Sequence, residues 1–403
     1  MEQTWRWFGP NDKVTLQDAR QAGAEGIVTA LHEVPAGEVW SVERIRDRQD
    51  EVSAAGLQWT VVESLDVTEA IKTRSNGWQH DLESFKQSLR NLAACGLHTV
   101  AYNLMPVFSW MRTSLHSPLP NGGYTTKFDA TAFAAFDLYI LSRENAEADW
   151  NEEQCHSART YFGSLTSSER NELQTTILQG LPGGNGSFTL QKVRSLLDTY
   201  RDIDATSFRT NASEFLRAVC PVAEEVGIRL CIHPDDPPRP LLGLPRIVST
   251  AEDLEWILQQ SPEDANGFTF CTGALGVRAD NDLLAMARRF APRIGFAHLR
   301  STQREVESSI VKNTPVESFF EAAHLEGDSD LVGITIELVK EEQRRHIAGD
   351  KHSLPFRADH GQELLNDRER EAQAAYPAIG RLRGLAELRG VMRTAERLLS
   401  KVG

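Results

Sequence analysis

Short apolar runs alternate with amphipathic stretches along most of this chain. The first four runs cover residues 5–8, 26–31, 57–62 and 99–103. Residues 85–95 between two of them have apolar positions at helical spacing, and Gly96 stands where a helix commonly ends. Near-continuous apolar strands are typical of a parallel sheet that is buried on both faces. The pattern therefore predicts four strands, each followed by a helix.

Residues 107–205 interrupt this repeat, because they are rich in charged, polar and helix-forming residues and contain no run suited to a buried parallel strand. We interpret them as a mostly helical insertion after strand four, which would serve as a lid or an oligomer contact. A separate small domain is the alternative. Both flanks continue the same repeating pattern, so the insertion is preferred.

The repeat resumes with apolar runs at residues 228–232, 268–271, 294–298 and 354–359. Thr250 and Asp253 form a pattern close to a capping box, and residues 379–399 predict the last helix. Eight strands, each followed by a helix, predict an α/β fold, a (β/α)₈ TIM barrel that forms one domain over residues 1–403. A doubly wound open sheet is the alternative, but it would not gather four successive strand ends around one point.

Composition and charge narrow the classes of partner. The 403 residues include 40% hydrophobic and 25% charged residues, which is typical of a globular protein. With 43 basic and 57 acidic residues the formal charge is −14, which argues against nucleic acid as a partner. The first residues lack the features of a signal peptide, and no apolar run reaches the roughly 20 residues that span a bilayer. We therefore expect a cytoplasmic protein that does not contact membranes.

The five cysteines are scattered, odd in number and never spaced as Cys-x-x-Cys. This pattern argues against a disulfide framework and against a structural zinc ribbon. Most of these cysteines are expected to be small buried residues.

Potential metal ligands stand at the ends of the last four predicted strands. These residues are His233, Cys271, His298 and Asp359. In a barrel the carboxyl ends of the strands share one mouth, and neighbouring strands lie about 4.8 Å apart, so four of them can surround one ion. Each residue alone is more often structural. Their coincidence in position favours a divalent-metal site.

The donor set leaves the metal open. A closed tetrahedral site with two histidines, a cysteine and an aspartate could hold zinc. Two imidazoles and a carboxylate with open positions suit Mn²⁺ or Fe²⁺, which substrate oxygens also bind. A cysteine ligand is less usual for manganese, which keeps iron in competition.

Two residues beside the predicted ligands could move protons. His360 directly follows Asp359, and Tyr376 precedes the last helix on the same rim. A nearby cation favours the anionic phenol and the neutral imidazole, so each could act as an acid or a base. The alternatives are an orienting role toward a metal ligand for His360 and a core-capping aromatic role for Tyr376.

Arginines surround these positions in an otherwise acidic protein. They are Arg6, Arg239, Arg278, Arg300 and Arg357. Guanidinium groups at a barrel mouth indicate a substrate carboxylate or phosphate, although any one of them could form a structural ion pair instead. The glycine-rich residues 183–186 lack the preceding strand and the Lys-Ser/Thr ending of a phosphate-binding loop. A carboxylate therefore fits better than a nucleotide.

The chain resembles the mannonate dehydratase family in motifs that run from its first residues to its last helix. The motifs are Trp5-Arg6-Trp7-Phe8-Gly9-Pro10-Asn11-Asp12, His233-Pro234-Asp235-Asp236-Pro237-Pro238-Arg239-Pro240, Cys271-Thr272-Gly273, His298-Leu299-Arg300-Ser301-Thr302, Glu321-Ala322-Ala323-His324-Leu325, Asp359-His360-Gly361 and Ile379-Gly380-Arg381-Leu382-Arg383-Gly384-Leu385. One departure is Ala358, where the family pattern usually has proline.

The resemblance implies a barrel related to xylose isomerase, a requirement for Mn²⁺ or Fe²⁺, and dehydration of D-mannonate to 2-dehydro-3-deoxy-D-gluconate in hexuronate catabolism. It implies metal ligands at His233, Cys271, His298 and Asp359. It implies catalytic residues at His360 and Tyr376. Removing a proton α to a carboxylate suits a Lewis-acidic ion, and the C3 hydroxyl needs an acid to leave. An arginine would anchor the carboxylate, with Arg6, Arg239, Arg278 and Arg300 as candidates. We also expect a homo-oligomer, with a dimer as the working assumption.

Two other functions remain in competition. An aldose–ketose isomerase of the related barrel family would share the fold, but its metal sites usually rely on more carboxylates. A sugar-acid binding or regulatory protein would bind metal and ligand without turnover.

Overall fold

Eight parallel strands form a closed barrel at the centre of the computed structural model, which describes residues 1–180, 188–305, 309–311, 314–316 and 318–400. Barrel strands 1 to 8 are, in chain order, Glu2–Arg6, Gly26–Thr29, Gln58–Glu63, Thr99–Tyr102, Arg229–Ile232, Asn266–Cys271, Ile294–His298 and Pro355–Arg357. Each pairs in parallel with the next, and strand 8 pairs with strand 1. The predicted (β/α)₈ barrel is confirmed. The glycine-rich residues 183–186 lie outside the described residues.

Helices surround the barrel on its outer face. The α-helices are Leu16–Gln21, Val42–Ala54, Glu69–Thr73, Trp78–Ala94, Ala130–Ala135, Glu152–Ser164, Ser167–Gln179, Leu190–Asp198, Ala205–Glu225, Ala251–Gln260, Thr272–Leu275, Leu283–Phe290, Leu331–Ile347 and Ala378–Leu399. A π-helix and three 3₁₀ helices cover Phe136–Leu141, Ala146–Asp149, Ala291–Arg293 and Asp367–Arg370. The predicted capping box at Thr250 is confirmed, because its side chain accepts from Asp253 N–H. Among the described residues no helix combines the length and the apolar character needed to cross a membrane.

Strand 1 ends earlier than the apolar pattern predicts. The run at residues 5–8 suggested a strand through Phe8, but the strand is Glu2–Arg6. The N–H of Phe8 donates to the Asp12 carboxylate at 2.9 Å and no longer to a neighbouring strand. Gly9, with φ +91°, then takes the chain into a turn. A side-chain acceptor four residues ahead therefore ends this strand, and apolar periodicity does not report it.

A layer of small and medium side chains fills the barrel interior. It consists of Val28, Val61, Ala101, Cys231 and Phe296. All five cysteines of the chain are free thiols, and three of them are buried, as expected from their spacing. A larger apolar cluster packs the outside of the barrel against the helices. The site described below therefore stands on a rigid, buried sheet.

A small antiparallel sheet, here called the outer sheet, was not predicted. Its strands are, in spatial order, Thr302–Arg304, Phe319–Glu321, Tyr124–Phe128 and Ser114–Pro118. Two of them belong to the segment after barrel strand 4 and two to the segment after barrel strand 7. The pairing that joins the two segments, Phe319–Glu321 with Tyr124–Phe128, links short strands that are far apart in sequence and has no local signature. The rest of the segment after strand 4 is largely helical, and its limits at 107–205 stay a prediction.

Candidate metal centre

The predicted ligands converge at the carboxyl ends of four consecutive barrel strands. Cys271 and His298 are the last residues of strands 6 and 7 and are paired in register. His233 follows strand 5 directly, and Asp359 lies two residues beyond strand 8. Because parallel strands end at the same rim, residues that are far apart in sequence lie side by side here.

The donor atoms are spaced as the ligands of one ion would be. One atom each from His233, Cys271 and His298 lie within 4.8 Å of one another. His233 Nε2 is 3.2 Å from His298 Nδ1, and Asp359 Oδ2 is 3.8 Å from both Cys271 Sγ and His298 Nδ1. Ligand atoms about 2.0–2.3 Å from a tetrahedral ion lie roughly 3.3–3.8 Å apart. The spacing of His233, Cys271 and His298 therefore suits a single divalent ion, and Asp359 lies beside two of these three donors.

Both histidines are oriented by their second ring nitrogen. His233 Nδ1 lies 2.7 Å from the carbonyl oxygen of Pro234. His298 Nε2 lies 3.4 Å from Glu63 Oε1 and 3.1 Å from the Nε of Arg357. An acceptor such as the Pro234 carbonyl or the Glu63 carboxylate turns the opposite nitrogen toward a metal, whereas Arg357 donates to His298 Nε2 and does not. Burial lowers the pKa of both imidazoles, and Arg357 lowers that of His298 further, so both are held in the neutral form that binds metals.

Arginines keep the Asp359 carboxylate ionised. Burial alone would raise its pKa, but the guanidinium of Arg357, which contacts Oδ1, outweighs this effect, and the pKa lies well below its usual value. Arg300 Nη1 adds a contact of 3.3 Å to Oδ2. Burial raises the pKa of the Cys271 thiol, with Arg300 opposing it. The thiol therefore keeps its proton in the absence of an ion, and it would release this proton when an ion binds.

The imidazole of His360 lies between an arginine and a glutamate. Its Nδ1 lies 2.7 Å from Arg300 Nη1 and 3.0 Å from Glu321 Oε1. The arginine contact requires an unprotonated nitrogen, whereas the glutamate contact requires a proton on it. The two contacts therefore belong to different tautomers of the neutral ring, and the one that donates from Nδ1 to Glu321 leaves Nε2 unprotonated. This arrangement suits a group that gains and loses a proton during a reaction.

Tyr376 is packed edge-on against two rings of the same site. Its ring centroid lies 5.0 Å from that of His360 and 4.8 Å from that of Phe8, at interplanar angles of 80° and 82°. Burial raises the pKa of Tyr376 to about 12, although the nearby Arg357 guanidinium acts in the opposite direction. The phenol therefore keeps its proton at neutral pH and can serve as a donor.

A buried ion-pair network behind His360 was not anticipated. Arg112, in the segment after strand 4, donates to Asp236 Oδ1 at 2.8 Å and to Glu321 Oε1 at 2.7 Å. Arg300 also contacts Asp236 and lies 3.5 Å from Glu321 Oε2. Burial would raise the pKa of Glu321, but Arg300 and His360 lower it to about 2. Asp236 and Glu321 stood within sequence motifs, whereas nothing near Arg112 marked it.

The predicted arginines divide into two groups. Arg6, Arg300 and Arg357 border a cavity of about 30 Å³, here called the metal-side cavity, together with His233, Asp236, Asp359, His360 and Tyr376. Arg239 instead stacks its guanidinium 4.7 Å from the Phe128 ring centroid. Arg278 donates to Asp280 at 2.9 Å, and neither residue borders the metal-side cavity. Arg239 thus contacts an aromatic ring and Arg278 pairs with an aspartate, and both lie outside the metal-side cavity.

Ala358 stands where the family motif usually has proline, and the site tolerates it. Its carbonyl oxygen accepts from His324 Nε2 at 2.6 Å. A proline would present the same carbonyl, because it lacks only the N–H. Both Asp359 and His360 border the metal-side cavity in this chain.

A family model described as D-mannonate dehydratase (UxuA) matches residues 1–401. A protein of Chromohalobacter salexigens named mannonate dehydratase is 55% identical over 391 residues, which cover 97% of this chain and 98% of that protein. A protein of the same name from a Marinomonas species is 49% identical over the same shares of both chains.

Among solved structures, the mannonate dehydratase of Streptococcus suis serotype 2 is similar with a TM-score of 0.76 and 29% sequence identity. The match covers 99% of this chain and 95% of that one. The similarity therefore includes the segments outside the barrel as well as the barrel itself.

Proposed function

The chain belongs to the D-mannonate dehydratase family, and from this premise we propose how its barrel mouth removes water from D-mannonate to form 2-dehydro-3-deoxy-D-gluconate. The enzyme is a carbon–oxygen hydro-lyase. The observation that carries the proposal is the cluster of His233, Cys271 and His298 at the barrel mouth, where His233 and Asp359 border the same cavity as His360 and Tyr376.

We propose that one divalent ion, Mn²⁺ or Fe²⁺, is held by His233, Cys271, His298 and Asp359. The support is the spacing of the donors, the neutral imidazoles and the ionised carboxylate. When bound, the ion supplies a Lewis acid that stabilises negative charge on the substrate carboxylate as the neighbouring carbon loses its proton. With the ion on Nδ1, His298 Nε2 would carry the proton and donate it to Glu63, in place of accepting from Arg357 Nε.

His360 is proposed as the base that takes the proton from C2. Its imidazole borders the metal-side cavity, and Glu321 would stabilise the charged ring that results. Before the reaction, donation of the Nδ1–H to Glu321 would leave Nε2 as the nitrogen that accepts the proton. The Arg112 network behind them keeps Asp236 and Glu321 ionised and fixed.

Tyr376 is proposed as the acid that protonates the C3 hydroxyl as it leaves. A raised pKa of about 12 keeps the phenolic proton in place at neutral pH. Loss of the C2 proton and of the C3 oxygen as water leaves an enol, which tautomerises to the 2-keto acid. The two residues thus perform the two proton transfers that the balanced reaction requires.

Arg6 is proposed as the arginine that contacts the substrate. Arg357 and Arg300 are engaged by carboxylates of the protein, namely Glu63, Asp236 and Asp359. Within the described part of the chain, the buried Nη1 of Arg6 has no hydrogen-bond partner. A bound oxygen acceptor would satisfy it.

The reaction itself is tested by incubating the metal-loaded protein with D-mannonate and measuring 2-keto acid. We expect stoichiometric formation of 2-dehydro-3-deoxy-D-gluconate, and no keto-acid product from D-fructuronate or free aldoses as controls. Isomerisation of an aldose without keto-acid formation would favour the isomerase alternative. Binding of D-mannonate without any product would favour a binding protein.

Gly273 in the Cys-Thr-Gly motif leaves room for Arg300. A Cβ at this position would lie 1.9 Å from Arg300 Nε. The variant Gly273→Ala is therefore expected to displace the guanidinium, lower kcat/KM for D-mannonate at least ~10-fold, and reduce the free energy of unfolding by about 1–3 kcal/mol. Gly390→Ala in the last helix is the matched control, because nothing lies within 4 Å of its Cβ. Equal kinetics for the two variants would contradict this role of Gly273.

Association into a dimer and a cytoplasmic location stay predictions from the sequence. Size-exclusion chromatography with light scattering would measure the number of subunits. Neither prediction bears on the chemistry proposed for the barrel mouth.

A further inference from the structure

A second cavity, here called the tail cavity, adjoins the metal-side cavity at the barrel mouth. It measures about 260 Å³ and is bordered by Arg6, the last residue of barrel strand 1, and by segments that follow barrel strands 2 to 4. The residues that border both cavities are Arg6, Ser64, Asn103 and Ser109. The ligand residues lie on strands 5 to 8, so the mouth is divided into a metal half and a tail half.

The size of the metal-side cavity limits what it can hold. A buried water needs about 10–15 Å³ of such space, so its 30 Å³ holds about two waters. A six-carbon acid occupies a much larger volume than two waters. The carbons that do not react must extend beyond the metal-side cavity, and the tail cavity lies directly against it.

The far wall of the tail cavity is built from ion pairs that stabilise the protein itself. The buried Lys72 donates from Nζ to Glu69 Oε1 at 2.6 Å and to the Met105 carbonyl oxygen at 2.8 Å. Glu69 Oε2 also accepts from the Tyr200 hydroxyl at 2.5 Å. These groups hold the helix after strand 3 against the segment after strand 4.

Other polar groups of the tail cavity retain hydrogen-bonding capacity. Asp66 is accessible and forms no ion pair within the described ranges, although Lys72 and Arg6 lie near enough to act on its charge. Asn103 and Ser109 border the cavity and make no side-chain hydrogen bond to any described residue. Together they offer a carboxylate, an amide and a hydroxyl.

The charge of this wall selects for one end of an aldonate. Lys72 neutralises Glu69, so Asp66 is the acid of this wall that forms no ion pair within the described ranges, and its carboxylate accepts from hydroxyl groups but not from a second carboxylate. Asn103 both donates and accepts, which suits a hydroxyl as well. The carboxylate end of the substrate is therefore favoured at the arginines and metal ligands, and the hydroxyl-bearing end in the tail cavity.

We infer that the tail cavity binds the C4–C6 hydroxyls of the aldonate, with Asp66 and Asn103 as residues that determine specificity for chain length. This inference rests on the proposed function. Arg6, at the junction of the two cavities, would contact the middle of the chain. The reacting C2 and C3 would then lie between the metal ligands and the pair His360 and Tyr376.

The test compares D-mannonate with a four-carbon aldonate of the same configuration at C2 and C3, using the metal-loaded enzyme. Asp66→Ala is expected to lower kcat/KM for D-mannonate about 10- to 100-fold, the range for losing a hydrogen bond to a charged group. The inhibition constant of the four-carbon acid should change less than about 3-fold, because that ligand does not reach Asp66. Asn103→Ala is expected to show the same pattern. Glu225→Ala is the control, because this exposed carboxylate ends the helix that precedes barrel strand 5 and does not border either cavity.

Three outcomes would overturn the inference. Unchanged D-mannonate kinetics in both variants would exclude contact with the substrate. An equal loss for D-mannonate turnover and for four-carbon binding would show that the substitutions disturb the metal half. Failure of the wild-type enzyme to dehydrate D-mannonate would overturn the proposed function and this inference together, and the wild-type assay alone would reveal it.

Discussion

Removal of divalent ions with a chelator is expected to abolish conversion of D-mannonate, and addition of Mn²⁺ or Fe²⁺ is expected to restore it. Without the ion, the negative charge that develops beside C2 would lie in a buried site. Arg300 and Arg357 already pair there with acidic residues of the protein. Loss of a Lewis acid at such a position removes several kcal/mol of stabilisation from the transition state. Elemental analysis of the purified protein should show about one ion per chain, in keeping with the one donor cluster found among the described residues.

Substitution of the ligands tests the same prediction at named atoms. His298→Ala and Cys271→Ser are each expected to lower metal content and activity together, at least ~10²-fold in kcat/KM at fixed metal. Cys95→Ser is the matched control, because Cys95 is a half-buried free thiol in a helix cap on the outside of the barrel. Full activity of the chelated enzyme, or of both ligand variants, would contradict the metal site. Restoration by Zn²⁺ alone would contradict the assignment to Mn²⁺ or Fe²⁺.

His360→Asn and Tyr376→Phe are expected to lower kcat about 10²- to 10⁴-fold each, the usual contribution of a positioned acid or base. Tyr376→Phe keeps the ring that packs against Phe8 and His360 and removes only the hydroxyl. Its metal content and thermal stability should therefore stay close to those of the wild type. His360→Asn should likewise keep its metal, since His360 is not among the proposed ligands.

Matched substitutions separate proton transfer from a general loss of structure. His156→Asn on an exposed helix face and Tyr124→Phe in the outer sheet change the same chemical groups away from the proposed site. Both are expected to leave kcat within about 2-fold of the wild type. If His360→Asn and Tyr376→Phe retained wild-type turnover, the two residues would have no part in catalysis.

Apolar periodicity carried the barrel prediction because each strand of a closed parallel sheet is buried on both faces. The strand ends were predicted only to within a few residues. The last strand is Pro355–Arg357, whereas the apolar run suggested residues 354–359. Asp359 therefore lies in a loop with φ +61°, a conformation that periodicity cannot reveal.

The outer sheet and the acids behind His360 could not be predicted in the same way. Phe319–Glu321 pairs with Tyr124–Phe128, and this pairing across the sequence fixes Glu321 beside His360. Arg112 reaches the same acid from a segment that lacks any periodic signal. Long-range pairing of short strands depends on the assembled barrel, so no local pattern records it.

The sequence by itself determined the barrel and the position of His233, Cys271, His298 and Asp359 at the ends of four neighbouring strands. Strands that are buried on both faces require apolar residues, and parallel strands that end at one rim bring their last residues together, so residue type and spacing record both features. Only the tertiary structure decided which arginines border the cavity, because Arg6 and Arg278 look alike in sequence while one is buried at the mouth and the other pairs with Asp280. It also decided the division of the mouth into two cavities, since a cavity is the space between segments that meet only after folding.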